Sequence, residues 1–130
     1  MNQFYKAIII TAISSLIFSC SPLNSINLNN TYKASEIALE FKINYKKAIS
    51  TYEGKSLTLI GRIDQYYKNK EGEIVIILAE KGKTEGVKCN LINSSKQVKK
   101  PLKQGKNIII KGKCVGFNEM VIFDKCYIIP

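Results

Sequence analysis

Three regimes of hydrophobic spacing follow one another along the chain. Behind Lys6, residues Ala7 to Phe18 form a run of apolar or small side chains. A run of about 12 residues is too short for a hydrocarbon core that needs ~20, so it predicts the apolar segment of an export signal. From Ala34 to Tyr52 the apolar positions Ile37, Ala38, Phe41, Tyr45, Ala48, Ile49 and Tyr52 recur three or four apart. That spacing predicts one amphipathic helix, with Lys42, Lys46 and Lys47 off its apolar stripe. Ser35 and Glu36 suit its start and Gly54 its stop, and the Tyr45/Tyr52 stripe is read as core packing. Beyond Gly54 the period falls to two.

In this third regime Leu57, Leu59 and Ile63 share a parity with Gly61, against Thr58, Arg62 and Asp64. The pattern predicts a half-buried strand whose central glycine permits a bend or bulge. After the turn Lys68 to Gly72, the β-branched run Ile74 to Ala79 predicts a strand buried on nearly both faces. Val87, Cys89 and Leu91 alternate with Lys88 and Asn90 in a third strand. A polar insert spans Asn93 to Gly105, with Ser94 and Ser95 as helix caps and Pro101 limiting any helix to a short one. Ile108, Ile110, Gly112 and Cys114 oppose Lys111 and Lys113 in a fourth strand. A tight connection at Gly116 to Glu119 then leads into the fifth, Val121 to Ile128.

The expected fold is therefore mainly β: a five-stranded OB-fold, a Greek-key barrel preceded by one amphipathic α-helix, with a short helix or loop between strands three and four. The succession Tyr52-Glu53-Gly54-Lys55, Gly61-Arg62-Ile63, Gly86-Val87-Lys88-Cys89, Gly105, Lys111 to Gly116 and Asp124-Lys125-Cys126 resembles the tRNA_anti-like family of bacterial OB-fold proteins. The resemblance runs from Ala34 to Ile129. It implies the barrel and its leading helix; many members of the family are taken to be lipoproteins, and they mostly lack an assigned biochemical role.

The leader refines the location. Leu16-Ile17-Phe18-Ser19-Cys20 resembles the lipobox of bacterial lipoproteins, in which cleavage precedes the cysteine and lipid is attached to it. The expected organisation is a signal peptide over residues 1–19, a lipidated Cys20 and tether over residues 20–32, and a domain over residues 33–130. Simple secretion and an uncleaved anchor are the alternatives. Removing 19 of the 130 residues leaves 111, enough for one core. Ser21 is not the aspartate associated with inner-membrane retention in some bacteria, which mildly favours the outer membrane.

The net charge of +10 becomes +9 once Lys6 is removed, and it favours anionic partners such as nucleic acid, lipopolysaccharide or phospholipid headgroups. Nineteen lysines against the single Arg62, with 21 isoleucines and 11 asparagines, are equally what an AT-rich coding sequence yields. With no histidine, no carboxylate pair at a dyad spacing and no phosphate-cradling glycine loop, the chain is not expected to be an enzyme. The same lack of histidine and of a CxxC pair argues against a metal, and no cofactor is expected. Beside Cys20, the cysteines are Cys89, Cys114 and Cys126. A strand order that sets the third strand beside the fifth brings Cys89 and Cys126 together as the pair for a disulfide, the alternative being three buried reduced thiols. With the hairpin turning near Phe117 and Asn118, Cys114 falls opposite about Val121, too far from Cys126 to be bridged to it.

Ligands of such barrels bind the face of strands two and three and the loops joining strands one to two and four to five. The candidate ligand-binding residues are Tyr66, Tyr67, Lys68 and Lys70 in the first loop, with Asn69 among them. Lys88 and Asn90 follow on the strands, and Phe117 and Asn118 in the second loop. A membrane-anchored envelope lipoprotein binding a protein or glycan partner is the expected function. A single-stranded nucleic-acid-binding module is the alternative, and export disfavours it. The lysines of the insert are expected to lie away from this cleft.

Overall fold

A computed structural model describes residues 31–130 of the chain. The expected signal peptide, Cys20 and most of the tether lie outside those residues. Within them the order is β1 (Thr31–Lys33), α1 (Ala34–Ile43), α2 (Tyr45–Tyr52), β2 (Ser56–Lys68), β3 (Ile74–Leu78), β4 (Val87–Leu91), α3 (Ser94–Gln97), β5 (Asn107–Asn118) and β6 (Met120–Ile129). No helix among the described residues is long and apolar enough to cross a membrane.

The sheet runs β1-β2-β3-β4-β6-β5 and closes through β2–β5 pairing. Strands β2 to β6 are thus the five strands of an OB-fold, as expected, with β4 and β6 parallel neighbours. Closure removes the open edge that would otherwise present unpaired backbone groups. Alternation sends Leu57, Leu59, Ile63, Ile76, Leu78, Val87, Cys89, Leu91, Ile110, Val121 and Phe123 inward to one core.

Three expectations need correction. The tether was expected to run to residue 32, but Thr31–Lys33 pairs in parallel with Thr58, Leu59 and Ile60 and so belongs to the sheet. The single helix is two: Asn44 leaves helical geometry at φ −144° and ψ 84°, and its side chain accepts a hydrogen bond from Lys47 N. An asparagine that competes for backbone donors caps a new helix more readily than it continues an old one. The apolar stripe still holds across the break, since Ile37, Ala38, Phe41, Ala48 and Tyr52 are buried, whereas Tyr45 is half exposed. Finally, Cys114 pairs with Phe123 and not Val121, because the hairpin turns at Glu119, between the paired Asn118 and Met120, and not at Phe117 and Asn118; the register shift between Cys114 and Gly116 takes back one residue.

Candidate functional site

The first strand of the barrel is longer than its alternation suggested, so Tyr66, Tyr67 and Lys68 are not in a loop but in the end of β2, paired with Ile76, Val75 and Ile74. Val75 in turn faces Asn90, and Ile77 faces Lys88, across β3 and β4. Because side chains on one side of a sheet line up across strands, Tyr67, Asn90 and Lys88 share the outer face of the barrel. They line one groove of about 520 Å³, together with Asn69, Glu71, Glu73, Asn93, Asp124 and Lys125. That volume lies within the range of small-ligand sites, on the order of 300–1,000 Å³.

The far wall of the groove is built by a bulge. Cys89 pairs with Phe123 and Leu91 with Cys126, so Asn90 alone faces Asp124 and Lys125. A bulge of this kind redirects side chains, and here it delivers Asp124 and Lys125 to the groove. Lys125 takes a left-handed φ of 51°, with its N–H donated to Asp124 Oδ1 at 2.9 Å. Asn93, at φ 48°, is a second left-handed lining residue. Residues held in this sparsely populated region concentrate at functional sites.

The near wall is ordered by hydrogen bonds. Asn69 Oδ1 accepts from Glu71 N at 3.0 Å and Glu73 N at 2.9 Å, which shapes the turn between β2 and β3. Glu73 Oε2 accepts from Ser94 N at 3.1 Å and Ser94 Oγ at 3.0 Å, tying that turn to the insert. Ser94 is buried, and its Oγ also accepts from Ile74 N at 3.0 Å. The charged groups of the lining are three carboxylates, Glu71, Glu73 and Asp124, against two ammoniums, Lys88 and Lys125.

The remaining candidates go elsewhere. Tyr66 pairs with Ile76 on the opposite side of the sheet from Tyr67, and Lys68 and Lys70 are exposed without lining the groove. Phe117 and Asn118 end β5 at a turn beside Gly86, where Val121 N donates to Gly86 O at 3.3 Å. This is the other end of the β3–β4 ladder from Asn69, so Phe117 and Tyr67 do not converge. Phe117 stacks on Phe41 at 5.8 Å and 10° and meets Tyr45 edge-on at 5.7 Å; it docks α1 and α2 on the barrel. Nearby, Lys42 Nζ donates to Glu85 Oε1 at 2.9 Å, and this bond holds the Glu85 carboxyl down to about 2. Lysine spacing on α1 gave no signal of a partner forty-three positions away.

Cys89, Cys114 and Cys126 are buried and free in this structure, with no bond between Cys89 and Cys126. The pair is adjacent nonetheless: a hydrogen bond with Cys126, together with burial, pushes the Cys89 thiol well above its ordinary value. Burial likewise raises Cys114. Among the described residues no group of three or more Cys, Asp, Glu or His is placed to hold a metal ion.

A crystal structure of a candidate nucleic acid-binding lipoprotein from Klebsiella pneumoniae subsp. pneumoniae is similar in fold, with a TM-score of 0.64 at 18% identity over 77% of this chain and 91% of that one. A replication factor A related protein from Methanobacterium thermoautotrophicum, solved by NMR, has a TM-score of 0.42 at 17% identity over 59% of this chain and 83% of that one. No curated protein matches the chain. The tRNA_anti-like family model matches residues 3–128, through the barrel and the strands that carry the groove, and the chain belongs to the tRNA_anti-like family.

Proposed function

We propose that the protein is a non-catalytic binding module, held at the bacterial cell envelope by lipid on Cys20, whose β3–β4 groove takes a glycan. A protein segment with a neutral polar surface is the related alternative. The observation that carries this reading is the composition of the groove. One aromatic ring, Tyr67, stands beside Asn90, Asn93 and the carboxylates Glu71 and Asp124. A sugar ring offers an apolar face for one aromatic side chain and hydroxyls for amides and carboxylates. A nucleic-acid strand instead requires a positive groove and several stacking rings. Three carboxylates against two ammoniums are the wrong balance for a polyanion. The Klebsiella protein is described as nucleic acid-binding, which keeps nucleic acid as the second reading, and export disfavours it.

The test is titration of the protein with soluble peptidoglycan-derived oligosaccharides and, separately, with a single-stranded oligonucleotide at low and high salt. Saccharide binding that drops at least tenfold in Tyr67→Ala while the thermal midpoint stays put supports the glycan reading. Oligonucleotide binding that weakens steeply with salt and is lost in Tyr67→Ala would replace it.

A further inference from the structure

A second groove, of about 610 Å³, lies under the insert between β4 and β5, and its chemistry is unlike that of the first. Its floor is Val98, Leu102, Ile108 and Ile128, each partly buried and packed against the core. Its rim is Lys99, Lys100, Lys103 and Lys106, all exposed. The lining includes no acidic side chain and no aromatic one. We propose that this face is a docking surface for an anionic phospholipid bilayer.

Each half of that composition selects the occupant. Four ammoniums without a counter-charge select an anionic partner. A soluble anion alone would leave the apolar floor without a role. A nucleic-acid strand would find no ring to stack on, and stacking supplies much of the affinity for single strands. A bilayer meets both requirements, since lysine stems lie along apolar surface while their ammoniums sit at the level of lipid phosphates. The insert is also braced for such a role: Gln97 Oε1 accepts from Ile128 N at 2.8 Å, and its amide nitrogen donates to Cys126 O at 3.0 Å and to Ile92 O. Gln104 Nε2 donates to Asp64 O at 2.9 Å on the other side.

The tether permits this orientation. The described chain starts at Thr31, which pairs with Thr58, while the groove is reached at Ile63 further along β2. Five residues of strand cover roughly 17 Å. The eleven steps from Cys20 to Thr31 can extend to about 38 Å, so an anchor at Cys20 reaches past this end of the barrel. The docking face does not depend on a ligand in the β3–β4 groove, and its test is independent of lipidation.

The experiment is amine-reactive labelling of the full chain, read lysine by lysine by mass spectrometry. It is run with vesicles of phosphatidylcholine alone or mixed with phosphatidylglycerol. The two kinds of vesicle differ in headgroup charge, so the comparison reads the charge-dependent contact whether or not an N-terminal anchor holds the protein to both. Labelling of Lys99, Lys100, Lys103 and Lys106 is expected to fall on the order of fivefold with the anionic vesicles and to recover at high salt, while Lys68, Lys70 and Lys88 stay unchanged. In Lys99→Gln/Lys103→Gln, protection of Lys100 and Lys106 is expected to be lost. Equal labelling with both vesicle types would overturn the proposal, as would protection shared evenly by Lys68 and Lys70. The same protection from a single-stranded oligonucleotide without vesicles would overturn it in favour of nucleic acid. Protection by short-chain phosphatidylglycerol below its micellar concentration would overturn it in favour of a site for single amphiphiles.

Discussion

Gly112 shows how one missing side chain shapes two neighbouring features. On β5, Lys111 pairs with Tyr127 and Lys113 with Asp124, so Gly112 alone faces the bulged residues Lys125 and Cys126. A Cβ at position 112 would collide with Cys126 Sγ and stand 3.1 Å from Asp124 O. The absent Cβ therefore lets Cys126 turn inward beside Cys89 and lets the bulge carry Asp124 and Lys125 out to the groove. Gly112→Ala is expected to destabilise the fold by about 2 kcal/mol, because a packed core with backbone on one side accommodates extra atoms poorly. Chemical denaturation would detect this as a lowered midpoint with an unchanged slope. From the sequence Gly112 was legible only as one more inward position of β5. Its neighbour across the barrel is set by a register shift that no local pattern encodes.

At the scale of elements, the two helices and the β5–β6 turn form one unit. Phe41, Tyr45 and Tyr52 come from the helices, and Phe117 inserts its ring among them from the barrel. Phe117→Ala removes that contact and is expected to cost about 2 to 3 kcal/mol, less than a fully buried phenylalanine because its ring is only partly covered. Since Phe117 sits at the far end of the β3–β4 ladder from Tyr67, the same variant should leave saccharide affinity in the groove unchanged. A parallel loss of stability and affinity in Phe117→Ala would count against the separation of the two regions. The sequence placed Phe117 among ligand-binding aromatics because it falls in the connection of the fourth and fifth strands, which binds ligands in barrels of this kind. Only the folded helix α1, more than seventy positions earlier in the chain, supplies the ring that claims it.

For the molecule as a whole, the buried thiols couple stability to alkaline pH. Cys89 is raised chiefly by its hydrogen bond with Cys126 and then by burial, and Cys114 by burial. Both folded values lie above the unfolded value near 9.0. Below that value their contribution is present in full. As pH rises through it, the unfolded chain releases protons that the folded protein retains, and stability falls. Thermal unfolding followed from neutral pH upward is expected to show a midpoint that declines beyond about pH 9, more shallowly in Cys89→Ala. An identical slope in that variant would show that other groups carry the decline.

What the chain determined by itself is whatever depends on near neighbours. The change of hydrophobic period from about 3.6 to two marked where helix gives way to strand, and five strand-like runs, alternating or continuously apolar, with one polar insert were enough for the barrel. What only the tertiary structure decided depends on register and on contacts between distant segments. The helix breaks at Asn44, β1 joins the sheet, and Asn90 faces two residues of β6 at once. Tyr67 joins Lys88 and Asn90 while Tyr66 and Phe117 turn elsewhere, and the insert lysines gather over an apolar floor. A one-residue slip moves a strand's side chains to the other face, so which residues share a groove is settled when strands pair, not by the composition of any one of them.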